Sequence, residues 1–203
     1  MSVTSTATTR RTIQLPIDDG VIGLRGLSPQ RHRFELEYAL ERGSTANSVL
    51  FEAGDGAPAV LVHPPGMAYS AAFLPVLADA LPSSDAPLLV VVGHVNPNRV
   101  ALLRKLAETY AGLELIVSNP GAKLIEELWS QRKPAPPGET SEQPPLPDLP
   151  PLRVIRHEQP LPLSHQRSLM LLPAPTPRWP GGLLAFEESL GLLMSDKFFS
   201  AHL

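Results

Sequence analysis

Strands that alternate with helices, then a proline-rich break, then a run of short strands predict an α+β fold, with sheets packed together and helices on their outer faces. Three observations carry this. Short apolar runs such as 88–92 end at turn residues, as buried strands do. Apolar positions between them recur at helical spacing. Beyond 151 that spacing gives way to strand-like segments separated by Pro or Gly.

Taken in order, 1–20 reads as a flexible leader, Ser/Thr-rich at its start, and 21–203 as one folded domain. Alternation in Arg33-Phe34-Glu35-Leu36-Glu37-Tyr38 predicts a half-buried strand, and Ser48 to Ala53 a second. Gly54-Asp55-Gly56 is a tight hairpin turn. Ala59 to His63 is an apolar strand that stops at Pro64-Pro65-Gly66, and Phe73, Leu74, Val76, Leu77, Ala80 and Leu81 mark a helix. Leu88 to Val92 is a strand, Val100 to Tyr110 a helix, and Glu114 to Val117 a strand. Asn119-Pro120 then opens a helix that runs to about Gln131, with a side-chain cap and a proline in its first turn. The segment 134–151 is rich in Pro, Gly, Ser and acidic residues and is expected to be a disordered loop insertion. Leu152 to Arg156, Arg167 to Leu172, Gly182 to Phe186 and Leu190 to Met194 read as strands.

Composition narrows the chemistry. The chain has 203 residues, 43% hydrophobic and 18% charged, which suits one domain with a sizeable core. Its formal net charge of −3, with both signs interspersed, offers no basic face for nucleic acid. There are no cysteines, so thiolate metal sites, disulfides and a cysteine nucleophile are excluded. No apolar run is long enough for a membrane span, and the expected location is cytoplasmic. Ser44 and Ser48 lack a nucleophile elbow, which argues against a serine hydrolase.

The segment Gly93-His94-Val95-Asn96-Pro97-Asn98-Arg99 carries the strongest signal. It follows an apolar strand and precedes a helix, where a His-x-Glu-x-Asp loop would offer an imidazole and two carboxylates to a divalent metal. Here the acidic places hold Asn96 and Asn98. Amide oxygens carry no charge, and Arg99 adds a positive charge that it cannot shed. This is a metal-loop pattern without its anions.

With the elements in this order, the chain resembles the N-terminal metallo-β-lactamase-like domain of the flavodiiron proteins, or diflavin flavoproteins, specifically the ligand-poor A-type of cyanobacteria and plants. The resemblance covers about Leu24 to the end. It rests on Arg33 to Ser48, on His94 to Arg99 where the family has His-x-Glu-x-Asp-His, and on two late segments. Those are Ala174-Pro175-Thr176-Pro177-Arg178-Trp179-Pro180, where the family has His-Trp-Pro, and Ser195-Asp196-Lys197-Phe198-Phe199. The resemblance implies an αββα sandwich, and it places His94 and Asp196 at metal-ligand positions, with Asn96, Asn98 and Arg178 at positions that have lost theirs. A further ligand His would lie beyond Leu203. Two metals about 3.5–4 Å apart need more anionic or imidazole ligands than two survivors supply. This chain is therefore expected to bind no cofactor strongly, while FMN and diiron are implied for the full-length or partner protein. The flavodoxin-like FMN domain is expected to lie outside these residues, since no phosphate-cradling loop occurs in them.

The implied activity is reduction of oxygen to water with electrons from NAD(P)H or photosynthesis. It would be carried out in a hetero-oligomer with a ligand-complete homologue, or in a head-to-tail dimer of this chain. Trp179 would then contact a partner's flavin, or else anchor its own loop. Arg178 is expected to fill the vacated metal volume and pair with Asp196. His63 is expected to face solvent or to cap its strand, with no local carboxylate to orient it. Two other functions stay open: a non-catalytic module that binds a partner, and a metal-dependent hydrolase.

Overall fold

The computed structural model describes residues 10–31, 33–34, 37–38, 42–81, 83–131 and 144–198. Its larger sheet has seven strands: β1 (Arg11–Asp18), β2 (Val21–Ser28), β5 (Ser44–Phe51), β6 (Ala59–Val62), β7 (Leu88–Val91), β8 (Leu113–Ser118) and β9 (Leu152–Ile155), in that spatial order. The first four pair antiparallel, and β6 to β9 run parallel. The parallel strands are linked through α1 (Ser70–Ala80), α2 (Pro97–Thr109) and α3 (Asn119–Ser130). Parallel strands are covered on both faces, so β6 and β7 are buried at every residue and read as unbroken apolar runs.

One core lies under the helices. There Phe73, Leu77, Leu102, Leu103, Leu106 and Ile125 meet Leu24, Leu50, Leu61 and Leu115. The second core lies between the large sheet and a four-stranded antiparallel sheet of β10 (Gln159–Pro162), β11 (Ser168–Pro173), β12 (Leu183–Glu187) and β13 (Leu192–Met194). In it Val60, Val62, Val91 and Ile116 face Leu169, Leu171, Leu183 and Ala185. Helices, large sheet and small sheet make three layers of the expected αββα sandwich. Among the described residues no helix is long and apolar enough to cross a membrane.

The structure corrects several expectations. The leader expected over 1–20 is, from Arg11 to Asp18, the edge strand β1, hydrogen-bonded to β2 from Arg11↔Leu27 onward. Its register shifts between Pro16 and Asp18, and an edge tolerates a proline because one side of the strand has no ladder to break. The single strand expected over 33–38 is two short pieces, β3 (Arg33–Phe34) and β4 (Glu37–Tyr38), paired antiparallel with each other. β5 begins at Ser44, earlier than expected. The hairpin turn is present: Gly54 and Ala57 exchange backbone hydrogen bonds of 3.1 and 2.7 Å, and Asp55 and Gly56 both have positive φ, as a type I′ turn requires. The side chain that caps α3 is Ser118, whose Oγ accepts from the Gly121 N–H at 3.2 Å, rather than Asn119. β10 was not expected, because its two prolines mask it. It too is an edge strand.

Of the insertion expected over 134–151, the part up to 143 lies outside the described residues. The part from 144 is neither helix nor strand. It is nonetheless tied down, since the Trp129 indole N–H donates to the Pro147 carbonyl at 2.8 Å and Leu149 packs against the helix-side core.

Candidate functional site

The metal-loop positions converge where β6, β7 and β13 end. Asn96 begins the site. It is the extended residue before α2, and its Oδ1 accepts from the Arg99 N–H at 2.9 Å while Pro97 occupies the first turn. The amide expected to stand in place of a metal-binding carboxylate is thus a helix N-cap. Capping fixes the first turn and turns Arg99 inward, where only 7% of its surface stays exposed. Asn98, one residue earlier, is exposed on that turn.

Arg99 binds Asp196 with both ends of its guanidinium. Nη1 donates to Oδ2, and Nη2 donates to Oδ1 at 3.2 Å. Nη1 also donates to the His94 carbonyl at 2.9 Å. The two side chains are 9% and 8% exposed, so this is a desolvated, bidentate ion pair. Asp196 sits in a turn with φ of 51°, closed by a Phe198 N–H donated to the Ser195 carbonyl at 3.0 Å. Burial alone would push the Asp196 carboxyl up. The Arg99 charge does not outweigh burial by itself, but together with the Arg99 hydrogen bonds and the neighbouring His63 and His94 it does, and the carboxyl is held at about 2.

The expected Arg178–Asp196 pair is not formed. Arg178 is exposed and lies 5.5 Å from the ring centre of Trp179. Arg99 fills the role instead, and the sequence held the signal: Asn-Pro before Arg places the arginine at the third helical position. Trp179 anchors its own loop, with its N–H donated to Thr176 Oγ1 at 3.0 Å and its carbonyl accepting from Gly182 at 3.0 Å. Its ring meets His94 and Phe198 edge-on, at centroid distances of 6.4 and 5.3 Å. His94 is half-buried in this cluster.

His63 does not face solvent; it is 3% exposed. Its Nδ1 accepts from the Gly93 N–H at 3.1 Å, and Nε2 lies 3.1 Å from the Met194 carbonyl. A backbone N–H only donates and a carbonyl only accepts, so the ring is the neutral tautomer with its proton on Nε2. Asp196 Oδ2 lies 3.9 Å from Nδ1, too far for a hydrogen bond, and the Nδ1 lone pair is already engaged. Burial is the chief cause that lowers the His63 pKa. The residue ties β6, the loop after β7 and the end of β13 together, and has no nitrogen left for a metal or a substrate.

Tested against a two-metal centre, these side chains do not fit. Among the described residues, no three His, Asp or Glu groups converge. The one carboxylate at the site is neutralised by a permanent cation, and the Asn96 amide is committed to the helix.

Both titrating groups sit below their ordinary values in the folded chain, so on acidification the unfolded chain takes up protons first. His63 contributes stability that is complete above its ordinary value of 6.5 and is lost as pH falls below it. Asp196, depressed from 3.8 to about 2, contributes about 2 kcal/mol that is lost between those values. Urea midpoints should therefore be flat above about pH 7 and fall in two stages below it. A profile level down to about pH 5 would refute the assignment of His63.

No family model matches the chain. It is 33% identical over 203 residues to a Nostoc sp. protein named diflavin flavoprotein A 4, a match that covers 98% of this chain and 31% of that one. The metal-soaked Flv1 flavodiiron core of Synechocystis sp. superposes with a TM-score of 0.79 at 30% identity, over 96% of this chain and 44% of the other. A fragment, 1–254, of diflavin flavoprotein A 5 from Nostoc sp. superposes with a TM-score of 0.79 at 29% identity, over 96% of this chain and 69% of the fragment. The chain spans about a third of the length of the curated relatives it matches.

Proposed function

This chain belongs to the flavodiiron, or diflavin flavoprotein, family, and from that membership we propose that it serves as a metal-free core domain in an assembly that reduces oxygen or nitric oxide. The observation that carries this reading is the Arg99–Asp196 pair, which holds the metal-site pocket folded by a fixed ion pair. In such an assembly FMN and the diiron centre of a ligand-complete homologue supply the redox chemistry, with electrons from NAD(P)H or the photosynthetic chain. This chain supplies structure: Arg99 and Asp196 close the pocket, His63 locks the strand ends, and Trp179 with Phe198 shapes the wall beside it. A hydrolase reading finds no support, since a metal-activated water needs ligands that this pocket has assigned elsewhere.

The recombinant chain, grown with iron and desalted, is expected to hold well under one iron or zinc atom per chain, measured by elemental analysis. Two metals per chain would overturn the proposal. The assembly is tested by co-expression with a ligand-complete flavodiiron homologue. Co-purification, with faster NADPH-dependent oxygen uptake than the homologue shows alone, supports the redox role. Co-purification with no change in uptake would make the chain a non-catalytic binding module.

A further inference from the structure

The four-stranded sheet carries apolar side chains on both of its faces. Leu161, Leu169, Leu171, Ala185 and Met194 point into the core against the large sheet. Their strand neighbours point the other way, because side chains alternate along a strand and directly opposed residues share a face. One outward row crosses the whole sheet: Pro160 lies opposite Met170, Met170 opposite Phe186, and Phe186 opposite Leu193. A second row sets Leu172 opposite Leu184, and a third sets Ser168 opposite Pro162. No charged residue stands in any of the three. An antiparallel sheet with one wet face alternates apolar with polar residues, and this one does not.

Among the described residues, the helices do not cover that outer face. The buried apolar side chains of α1, α2 and α3 all belong to the core on the far side of the large sheet. Met170 and Leu193 are left 37% and 43% exposed, and Leu172, Leu184 and Phe186 join neither core. Size decides what can cover them. Strands about 4.8 Å apart, rising about 3.4 Å per residue, make a face about 15 Å wide and about 17 Å long. A second copy seated on it would bury about 500 Å² in all, well below the roughly 1,200 Å² of a stable interface. A tethered segment needs no such area, since the tether raises its local concentration. Helices about 10 Å across span the width with one or two.

We propose that this face docks one or two amphipathic helices, the second helical layer of the αββα sandwich, with an uncharged apolar stripe against Met170, Phe186 and Leu193. A longer flavodiiron chain has the residues to carry them: the Nostoc sp. fragment 1–254 is matched over 69% of its length, and the rest has no counterpart here. Helices already cover the outer face of the large sheet, and an uncovered apolar sheet face calls for the same kind of partner.

The test joins the unmatched part of that fragment to this chain in one polypeptide. The fusion is expected to gain helical ellipticity and to unfold at a higher urea midpoint than the chain alone. Met170→Lys should shift the midpoint of the chain alone by less than about 0.2 M and lower that of the fusion by about 1 M. Equal shifts in the two would overturn the proposal, as would an added segment that gains no helix. A dimer of the chain alone at about 100 μM, abolished by Met170→Lys, would make a second copy the occupant and overturn it too.

Discussion

Replacing Arg99 by alanine is expected to cost about 3–5 kcal/mol, the penalty for leaving one member of a buried ion pair without the other. Asp196, its side chain 8% exposed, would lose both guanidinium contacts and keep its desolvation cost, and the His94 carbonyl would lose a donor. Arg99→Lys should fall between, because an ammonium cannot span both carboxylate oxygens as a fork does. The exposed Arg178 is the control: Arg178→Ala should change stability by no more than about 0.5 kcal/mol. The double change Arg99→Met with Asp196→Leu should recover most of the loss, since an apolar pair of similar volume carries no charge to desolvate. Urea midpoints of the four variants decide the matter. Equal midpoints for the two alanine variants would remove the pair from its structural role.

Gly93→Ala should be comparably damaging for a steric reason. A Cβ at this position would collide with the His63 ring, lying 2.7 Å from Nδ1, and would lie 2.7 Å from the Leu183 carbonyl. Neither neighbour can retreat cheaply. His63 is held at both nitrogens, and Leu183 donates its own N–H to the Gly93 carbonyl at 3.3 Å. Overpacking combined with broken buried hydrogen bonds gives an expected loss of about 3 kcal/mol or more. Gly56→Ala is the contrast, because a Cβ there meets nothing within 4 Å and the cost is confined to its positive φ. If Gly93→Ala melts within a few degrees of Gly56→Ala, the tight packing around His63 is wrong.

The central strands and the three helices were legible because their burial writes a local pattern. The central parallel strands β6 and β7 are apolar at every residue, and α2 opens on a readable Asn-Pro cap. β1 was hidden for the opposite reason: it lies at an edge, its side chains are mostly exposed, and it contains a proline. At the site, sequence placed the right loops and chose the wrong arginine. Arg99 and Asp196 stand 97 positions apart, and nothing local shows which cation a carboxylate will meet once the sheets close. The environment of His63 left no trace at all. Its ring partners are the backbone of Gly93 and Met194, and a backbone amide or carbonyl looks the same in every residue.

That long separation has a kinetic meaning. The ion pair joins the start of α2 to the turn after the last described strand, so it forms only when nearly all the chain between them has been ordered. A contact of this kind belongs on the native side of the folding barrier. Its loss should leave the refolding rate nearly unchanged and steepen escape from the native state, a low-φ signature in which almost the whole effect falls on the unfolding limb of the chevron. The pocket would thus act as a latch, setting how long the folded domain survives rather than how quickly it is made.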